Sequence, residues 1–174
     1  MKRQYKQNAN LNNLPLIPTD LYQEIALYSD IETIKTLASF NKTFYNIYQN
    51  PHFWKDKVML DFPFTVQPEI NEVYNVNTYE SIALSLEEAK ELLQNDVWLL
   101  LTTDVPWFID LETYSINSIK IQKHDDHYDI TYQYLTNDGL NQYKQQLSYN
   151  DTIQLLTNLI YNQHIRVQSN INLQ

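Results

Sequence analysis

The sequence predicts an α+β protein, in which a bundle of about three or four short helices precedes an antiparallel sheet of about four or five strands with about two flanking helices. Apolar residues in the N-terminal third recur at helical spacing and are interrupted by residues that cap helices. Two later segments alternate apolar and polar residues, and the turn signal Asn137-Asp138-Gly139 follows them. Helical signals therefore dominate the beginning of the chain, and most strand signals come after them.

The first helix is predicted to begin at Pro18, which suits a first helical turn because its missing N–H is not needed there. Leu21, Ile25 and Tyr28 then recur along one face of this helix. Asp30 and Asn41 each precede a further apolar pattern and predict the N-terminal caps of a second and a third helix. Isolated helices below roughly 12–15 residues are unstable in water, so these helices must pack on one another or on a partner.

A fourth helix is predicted at Asn50-Pro51, where an Asn cap precedes Pro at the first helical position. Helical spacing is lost in the segment that follows, which contains Pro63 and Pro68. The chain is therefore divided into five predicted parts. These are a flexible N-terminus at 1–13, a helical domain at 14–62, a connector at 63–79, an α+β domain at 80–166 and a loose tail at 167–174.

The α+β domain is predicted to open with a helix that starts near Ser85, because Ser85-Leu86-Glu87-Glu88 has the spacing of a capping box. Residues 97–105 begin with a continuous apolar run and predict a central strand covered on both faces. Residues 118–122 and 128–135 alternate around the turn at 124–127, and the next strand follows Gly139. Either Ser148 or Asn150 can cap a final amphipathic helix.

Composition excludes several classes of function. The 174-residue chain contains no cysteine, which removes disulfides, thiol catalysis and cysteine-ligated zinc. It contains one glycine, so the glycine-rich loops that bind nucleotide phosphates are absent. A net charge of -9 disfavours binding to nucleic acid, which depends on Lys and Arg. No run of apolar residues reaches the length of a membrane span, so neither a signal peptide nor membrane attachment is expected.

The densest set of chemically reactive side chains is His124-Asp125-Asp126-His127 with Asp129. Asp is common in turns because its carboxylate bonds nearby backbone, and side chains along a strand point alternately to opposite faces. This pattern therefore predicts a hairpin turn and not a metal site. No catalytic residue, metal or other cofactor is expected, and the protein is predicted not to be an enzyme.

Tyrosines are spaced along one face of the predicted sheet, with Tyr128, Tyr132 and Tyr134 on one strand and Tyr143 on the next. Two interpretations remain open. The tyrosines either pack beneath the helices with their hydroxyls at the rim, or they form an aromatic surface that recognises a target protein.

Residues 17–55 carry the apolar-Pro pair Ile17-Pro18, an acidic residue at Asp20, an Ile at 25 and the apolar-Trp pair Phe53-Trp54. In this spacing the stretch resembles the F-box family. Ser29 departs from the pattern, which usually has Leu there. The resemblance implies binding to a Skp-type adaptor protein, which links F-box proteins to a cullin-RING ubiquitin ligase, while the following domain captures an unknown target. The positions it implies for adaptor binding are Ile17, Pro18, Leu21, Ile25, Ile34, Leu37 and Trp54.

A second hypothesis is a structural or host-interaction protein, associated with a virion, that recruits no ligase. Abundant Asn, Ile, Tyr and Lys suggest an A+T-rich genome such as that of a large DNA virus. Either function would be carried out inside a eukaryotic (host) cell, in the cytoplasm or nucleus. The adaptor hypothesis requires the face that contains Leu21, Ile25 and Ile34 to be open to a partner, and the structural hypothesis requires it to be buried within the chain.

Overall fold

The computed structural model describes residues 17–63, 73–101, 116–162 and 165–167. The chain forms two compact units, which divide between Phe53 and Trp54. The predicted flexible N-terminus at 1–13, most of the predicted connector and nearly all of the predicted tail lie outside the described ranges.

Four helices open the described chain, as the cap residues predict. They are α1 (Thr19–Tyr28), α2 (Ile31–Phe40), α3 (Lys42–Tyr48) and α4 (Pro51–Asp61). The Asp30 carboxylate accepts the N–H of Thr33 at 2.7 Å and caps α2. The Asn41 side chain accepts the N–H of Thr43 at 2.8 Å and caps α3. These bonds satisfy backbone donors that have no partner within a helix, so each short helix begins where its cap residue stands.

Contacts between helices hold the first unit together, and α3 contacts both α1 and α2. Tyr22 of α1 meets Phe44 of α3 edge to face, with ring centroids 5.1 Å apart. Among the described residues of this unit, which begin at 17, the buried apolar side chains are Ala26, Ile34, Phe44 and Phe53. So small a core leaves much of the apolar surface of these helices outside it.

The second unit combines the later part of α4 with a sheet and two long helices. Its further elements are α5 (Val76–Leu92), β1 (Val97–Leu101), β2 (Ile116–Lys123), β3 (Tyr128–Thr136), β4 (Gly139–Leu147), α6 (Tyr149–Tyr161) and β5 (Ile165–Val167). The five strands pair antiparallel in the order β4-β3-β2-β1-β5. The predicted α+β class, strand number and flanking helices are confirmed.

The strand register places one apolar face of the sheet under α5 and α6. Leu99, Ile119, Tyr132 and Tyr143 are aligned across β1 to β4 by successive pairings. Buried strand residues share one core with side chains from both helices. The helical members are Ala89, Leu93, Ile153, Leu155, Leu156 and Leu159. At about 1.5–3 kcal/mol for each large apolar side chain, this burial is the main favourable contribution to folding of the unit.

The start of α5 differs from the prediction. The helix begins at Val76 and not near Ser85, because Asn75 caps it by accepting the N–H groups of Asn77 and Thr78. Ser85 is buried in the middle of the helix, where its hydroxyl donates to the carbonyl of Ser81 at 2.9 Å. Residues 85–88 have the spacing of a capping box, but the helix already begins at the cap formed by Asn75.

Strand β1 is also less covered than predicted. Val97 and Leu99 lie in the core, but Trp98 points to the opposite face of the sheet and is 41% exposed. Only residues 97–101 of the predicted 97–105 strand lie in the described ranges. A run of apolar residues is therefore compatible with a strand covered by helices on one face.

The division between the two units comes earlier than the predicted connector because α4 packs on α5. Val58 and Ile82 are buried together, with Phe62, Tyr74, Tyr79 and Tyr161 packed against them. Trp54 contacts Tyr79 with ring centroids 5.8 Å apart. The Tyr79 hydroxyl donates to Asp61 at 2.6 Å, and Lys57 forms an ion pair with the same carboxylate at 2.8 Å. Residues 54–61 thus belong structurally with the sheet and its helices.

Replacement of the α6 cap should lower the stability of the second unit. The Ser148 hydroxyl accepts the N–H of Asp151 at 3.2 Å and donates to the Asp151 carboxylate. We expect Ser148→Ala to reduce the free energy of unfolding by about 1 kcal/mol, because a backbone donor loses its acceptor. Asn150→Ala, at the other candidate cap position, should change it little. Urea denaturation of the two variants measures the difference, and an equal loss in both would contradict the assignment of Ser148 as the cap.

Alkaline pH should destabilise the fold through its buried tyrosines. Burial, together with the neighbouring Tyr143, raises the pKa of Tyr132 to about 12 from its ordinary value of 10.0. The unfolded chain therefore releases this proton at lower pH than the folded protein does. Stability is retained below pH 10 and is lost as pH rises toward 12, by about 1.4 kcal/mol per pH unit for this group.

Tyr132→Phe removes that ionisation and should flatten the decline. Denaturation midpoints measured between pH 8 and about 11.5 test this, and below about pH 9.5 the variant and the parent should show parallel pH dependence. An unchanged slope above pH 10 in the variant would show that Tyr132 does not contribute.

Candidate functional site

The exposed face of α1 is the strongest candidate for an interaction site. Ile17, Leu21 and Ile25 are 40%, 43% and 39% exposed, and Tyr28, one turn further on, is 71% exposed. Side chains three and four positions apart on a helix lie above one another, so Leu21, Ile25 and Tyr28 form an apolar stripe along α1, and Ile17 lies just before the helix begins. We call Ile17, Leu21, Ile25 and Tyr28 the α1 stripe.

The opposite part of α1 is committed to the core of the first unit. Ala26 is fully buried, and Tyr22 packs against Phe44. The core of the unit uses this side of α1, so the apolar residues on the other side of the helix do not contribute to it. The outward face keeps three β-branched or γ-branched residues in contact with solvent, which is unfavourable unless another surface covers them.

The other residues predicted for adaptor binding are divided between surface and core. Pro18 is exposed at the start of α1, and Leu37 is half-buried on α2. Ile34 is 1% exposed and Trp54 is 1% exposed, so both side chains are enclosed by the protein itself. Ile34 and Trp54 therefore support the fold and are not available for contact with a partner. Of the residues predicted to bind the adaptor, Ile17, Pro18, Leu21 and Ile25 are exposed, and Leu37 is half-buried.

Two exposed aromatic residues join the candidate surface of the first unit. Phe40, at the end of α2, is 87% exposed, and Tyr45 of α3 is 52% exposed. They flank the Asn41 cap in the sequence, at a spacing that is also typical of a local hydrophobic contact. Their exposure marks them as candidates for an interface.

The predicted tyrosine surface is largely internal. Tyr128 and Tyr132 are buried in the core shared by the sheet and its helices, and Tyr134 is half-buried beside them. Only Tyr143, on β4, is substantially exposed, and its ring contacts Tyr132 at 5.9 Å between centroids. The interpretation in which this face packs beneath helices therefore holds for Tyr128 and Tyr132. Of these four tyrosines, Tyr143 is therefore the one exposed enough to contact a target protein, and Tyr128 and Tyr132 are not.

The β2–β3 turn brings together three of the five side chains in the predicted turn sequence, namely His124, His127 and Asp129. The N–H of His124 bonds the carbonyl of His127 at 2.9 Å and closes the turn. The two imidazole rings stack, with centroids 4.7 Å apart and planes inclined by 13°. The Asp129 carboxylate faces both rings, with one oxygen 3.2 Å from His124 Nε2 and the other 3.4 Å from His127 Nε2. We call His124, His127 and Asp129 the hairpin cluster.

Asp126 supports this arrangement from the other side of His127. Its carboxylate lies 2.6 Å from His127 Nδ1. That hydrogen bond lowers the pKa of Asp126 and raises the pKa of His127, since it favours the charged form of each partner. Stacking of the rings across the turn brings His124 and His127 to the same side as Asp129.

None of the helices in the described part of the chain combines the length and the apolar character needed to cross a lipid bilayer. Comparisons of the chain with protein-family models, with curated proteins and with solved structures gave no match. Inferences about function therefore depend on the physical character of the α1 stripe and of the sheet.

A matched pair of isoleucines tests the distinction between surface and core in the first unit. We expect Ile34→Ala to lower the free energy of unfolding by about 2–5 kcal/mol, because it leaves a cavity in a small core. Ile25→Ala, on the exposed stripe, should cost less than about 1 kcal/mol. Urea titrations followed by far-ultraviolet circular dichroism measure both. Similar losses for the two variants would mean that the α1 stripe is part of the core.

Proposed function

We propose that this protein is a non-enzymatic adaptor of the F-box type. In this proposal the α1 stripe docks on a Skp-type adaptor protein of a cullin-RING ubiquitin ligase, and the second unit binds a target protein. The observation that carries the proposal is the exposure of the α1 stripe, in particular of Leu21 and Ile25. Both residues occupy positions that the F-box resemblance implies for adaptor contact.

The energetics of the stripe support a protein partner. Burial of exposed aliphatic side chains against another protein contributes about 25 cal/mol per Å² of apolar surface. The stripe presents such side chains in a row on a helix, which is the arrangement used when a helical face binds an apolar groove. The exposed Phe40 and Tyr45 add aromatic groups of the kind enriched at the centres of interfaces.

The short helices also support a docking role. The α3 helix has seven residues and α1 and α2 have ten each, so each depends on its cap and its neighbours for stability. Bonds of Asp30 and Asn41 to backbone N–H groups fix where α2 and α3 begin. Such a bundle holds its outward side chains in defined positions without using them in its own core, which lowers the entropic cost of binding.

For the target-binding role, the second unit offers exposed aromatic residues on its sheet. Trp98 of β1 lies on the face opposite the helices, and Tyr143 of β4 lies at the rim of the helical face. Both side chains combine a large apolar area with a polar group, as is common where two proteins meet. We propose this sheet as the region that contacts a target.

The test is co-purification of the full chain with a recombinant Skp-type adaptor. We expect a stable complex with the parent chain and at least a tenfold loss of affinity for Ile25→Asp, since a buried unpaired carboxylate costs several kcal/mol. Gln23→Asp is the matched control, because it adds the same charge to an exposed position of α1 away from the stripe. Isothermal calorimetry of the three proteins gives the affinities.

Absence of binding by the parent chain, or equal binding by the two Asp variants, would contradict the proposal. In the first case, the structural or host-interaction hypothesis would gain support. Circular dichroism of Ile25→Asp should match that of the parent, because the substituted residue is exposed.

A further inference from the structure

The outer edge of β4 has no partner strand in the described part of the chain. This strand lies at one end of the order β4-β3-β2-β1-β5 and pairs with β3 alone. In an antiparallel pair, alternate residues of a strand direct their N–H and C=O groups toward the neighbouring strand. The residues between them direct the same groups away from β3, where a further strand could bond to them.

The length and regularity of β4 suit it to accept such a strand. It has nine residues, and its register with β3 runs without a bulge from the pair Thr136–Gly139 to the pair Tyr128–Leu147. Proteins usually protect an open edge with a short strand, a proline, a bulge or charged side chains. The opposite edge of the sheet, β5, has three residues, whereas β4 has no proline and one charged residue, Lys144.

Tyr143 determines what an added strand would meet on the face of the sheet that the helices cover. It pairs with Tyr132, which pairs with Ile119, so the three side chains form one row across the sheet. Ile119 and Tyr132 are buried, but Tyr143 at the end of the row is 42% exposed. The Tyr132 ring covers one side of Tyr143, and an apolar side chain on an added strand, about 5 Å away, would cover the other.

Lys144 determines the charge that an added strand would meet on the opposite face. It pairs with Thr131, which pairs with Lys120, and Trp98 completes this row. Both lysines are exposed, and within the described residues neither forms an ion pair. The acidic residue of β3 on this face, Asp129, contacts the histidines of the hairpin cluster. Charges beyond about 8 Å are largely screened at physiological salt, so this edge attracts carboxylates although the net charge of the chain is -9.

We propose that β4 binds an extended segment of a target protein as a sixth strand, and that this segment alternates apolar and acidic residues. Backbone hydrogen bonds would provide affinity, and contacts with Tyr143 and Lys144 would select the sequence. Successive side chains of a strand point to opposite faces, so an alternating segment places its apolar residues beside Tyr143 and its acidic residues beside Lys144. This inference rests on the target-binding role proposed for the sheet and specifies the kind of target.

A second copy of the chain fits this edge less well than an acidic segment does. The sequence of β4 contains no acidic residue. Pairing of β4 with itself would therefore bring the Lys144 side chains of both copies to one interface with no carboxylate from either strand to balance them. A segment with acidic residues removes this repulsion.

The experiment measures fluorescence anisotropy of labelled peptides of nine residues, the length of β4, with the full chain. One peptide alternates Val and Glu, and the other alternates Val and Lys. We expect saturable binding of the Val–Glu peptide and binding of the Val–Lys peptide weaker by about tenfold. Lys144→Glu should reverse this preference. Lys55→Glu is the matched control, because it makes the same charge change at an exposed position of α4, outside the sheet, and should leave the preference unchanged.

Two N-methylated forms of the Val–Glu peptide test the backbone pairing. One carries methyl groups on the Val amides and the other on the Glu amides, so their side chains are identical. Because a strand directs alternate N–H groups toward its neighbour, we expect one form to bind at least about tenfold more weakly than the other. Equal affinities of the two forms would overturn the addition of a strand.

Absence of saturable Val–Glu binding by the parent chain, or the same peptide preference in Lys144→Glu, would also overturn the proposal. Circular dichroism of Lys144→Glu should match that of the parent, because the side chain is exposed. Sedimentation velocity tests the second copy as occupant, and a dimer that the peptide dissociates would count against the proposal. Ile25→Asp should bind the Val–Glu peptide like the parent, so a failure of adaptor binding and a failure of strand addition are distinguishable.

Discussion

The packing of α6 on one face of the sheet is the interaction on which the rest of the second unit depends. Leu156 and Leu159 are fully buried against strand residues that include Ile121 and Ile130. Because side chains alternate along a strand, a slip of one residue would turn this entire apolar set toward the other face. The core therefore fixes the register of β2 on β3, in which Ile121 pairs with Ile130. That register also determines which side chains meet at the turn, so the hairpin cluster is a consequence of the core.

Local signals in the sequence were sufficient to predict much of the fold. Asp30, Asn41 and Asn50 mark the starts of helices because a cap acts within three residues of itself. Alternation identified β2 and β3 because each has one buried face. The start of α5 was predicted wrongly because Ser85 satisfies the same local rule as a true cap. The helix begins earlier because Asn75 caps it by accepting the N–H groups of Asn77 and Thr78.

The candidate sites show why sequence is a weaker guide to surfaces. Spacing placed Leu21, Ile25 and Ile34 in one set, but burial separates them, since Ile34 is enclosed while Leu21 and Ile25 face outward. The helical spacing of apolar residues does not show which of two apolar faces packs into a small core. At the hairpin, the sequence predicted a turn because Asp is common there. The stacking of His124 on His127 depends on the conformation of the turn, which the residue types do not specify.

The order of strands in the sheet has a consequence for how the second unit folds. The pairings of β2 with β3 and of β3 with β4 join segments separated only by short turns, whereas Leu101 of β1 pairs with Ile165 of β5. Long loops are entropically costly to close, so we expect the meander to form early and β5 to join last. Until this strand of three residues is in place, β1 presents unpaired backbone groups along one side. A newly made chain would therefore be most prone to aggregate through β1, shortly before folding is complete.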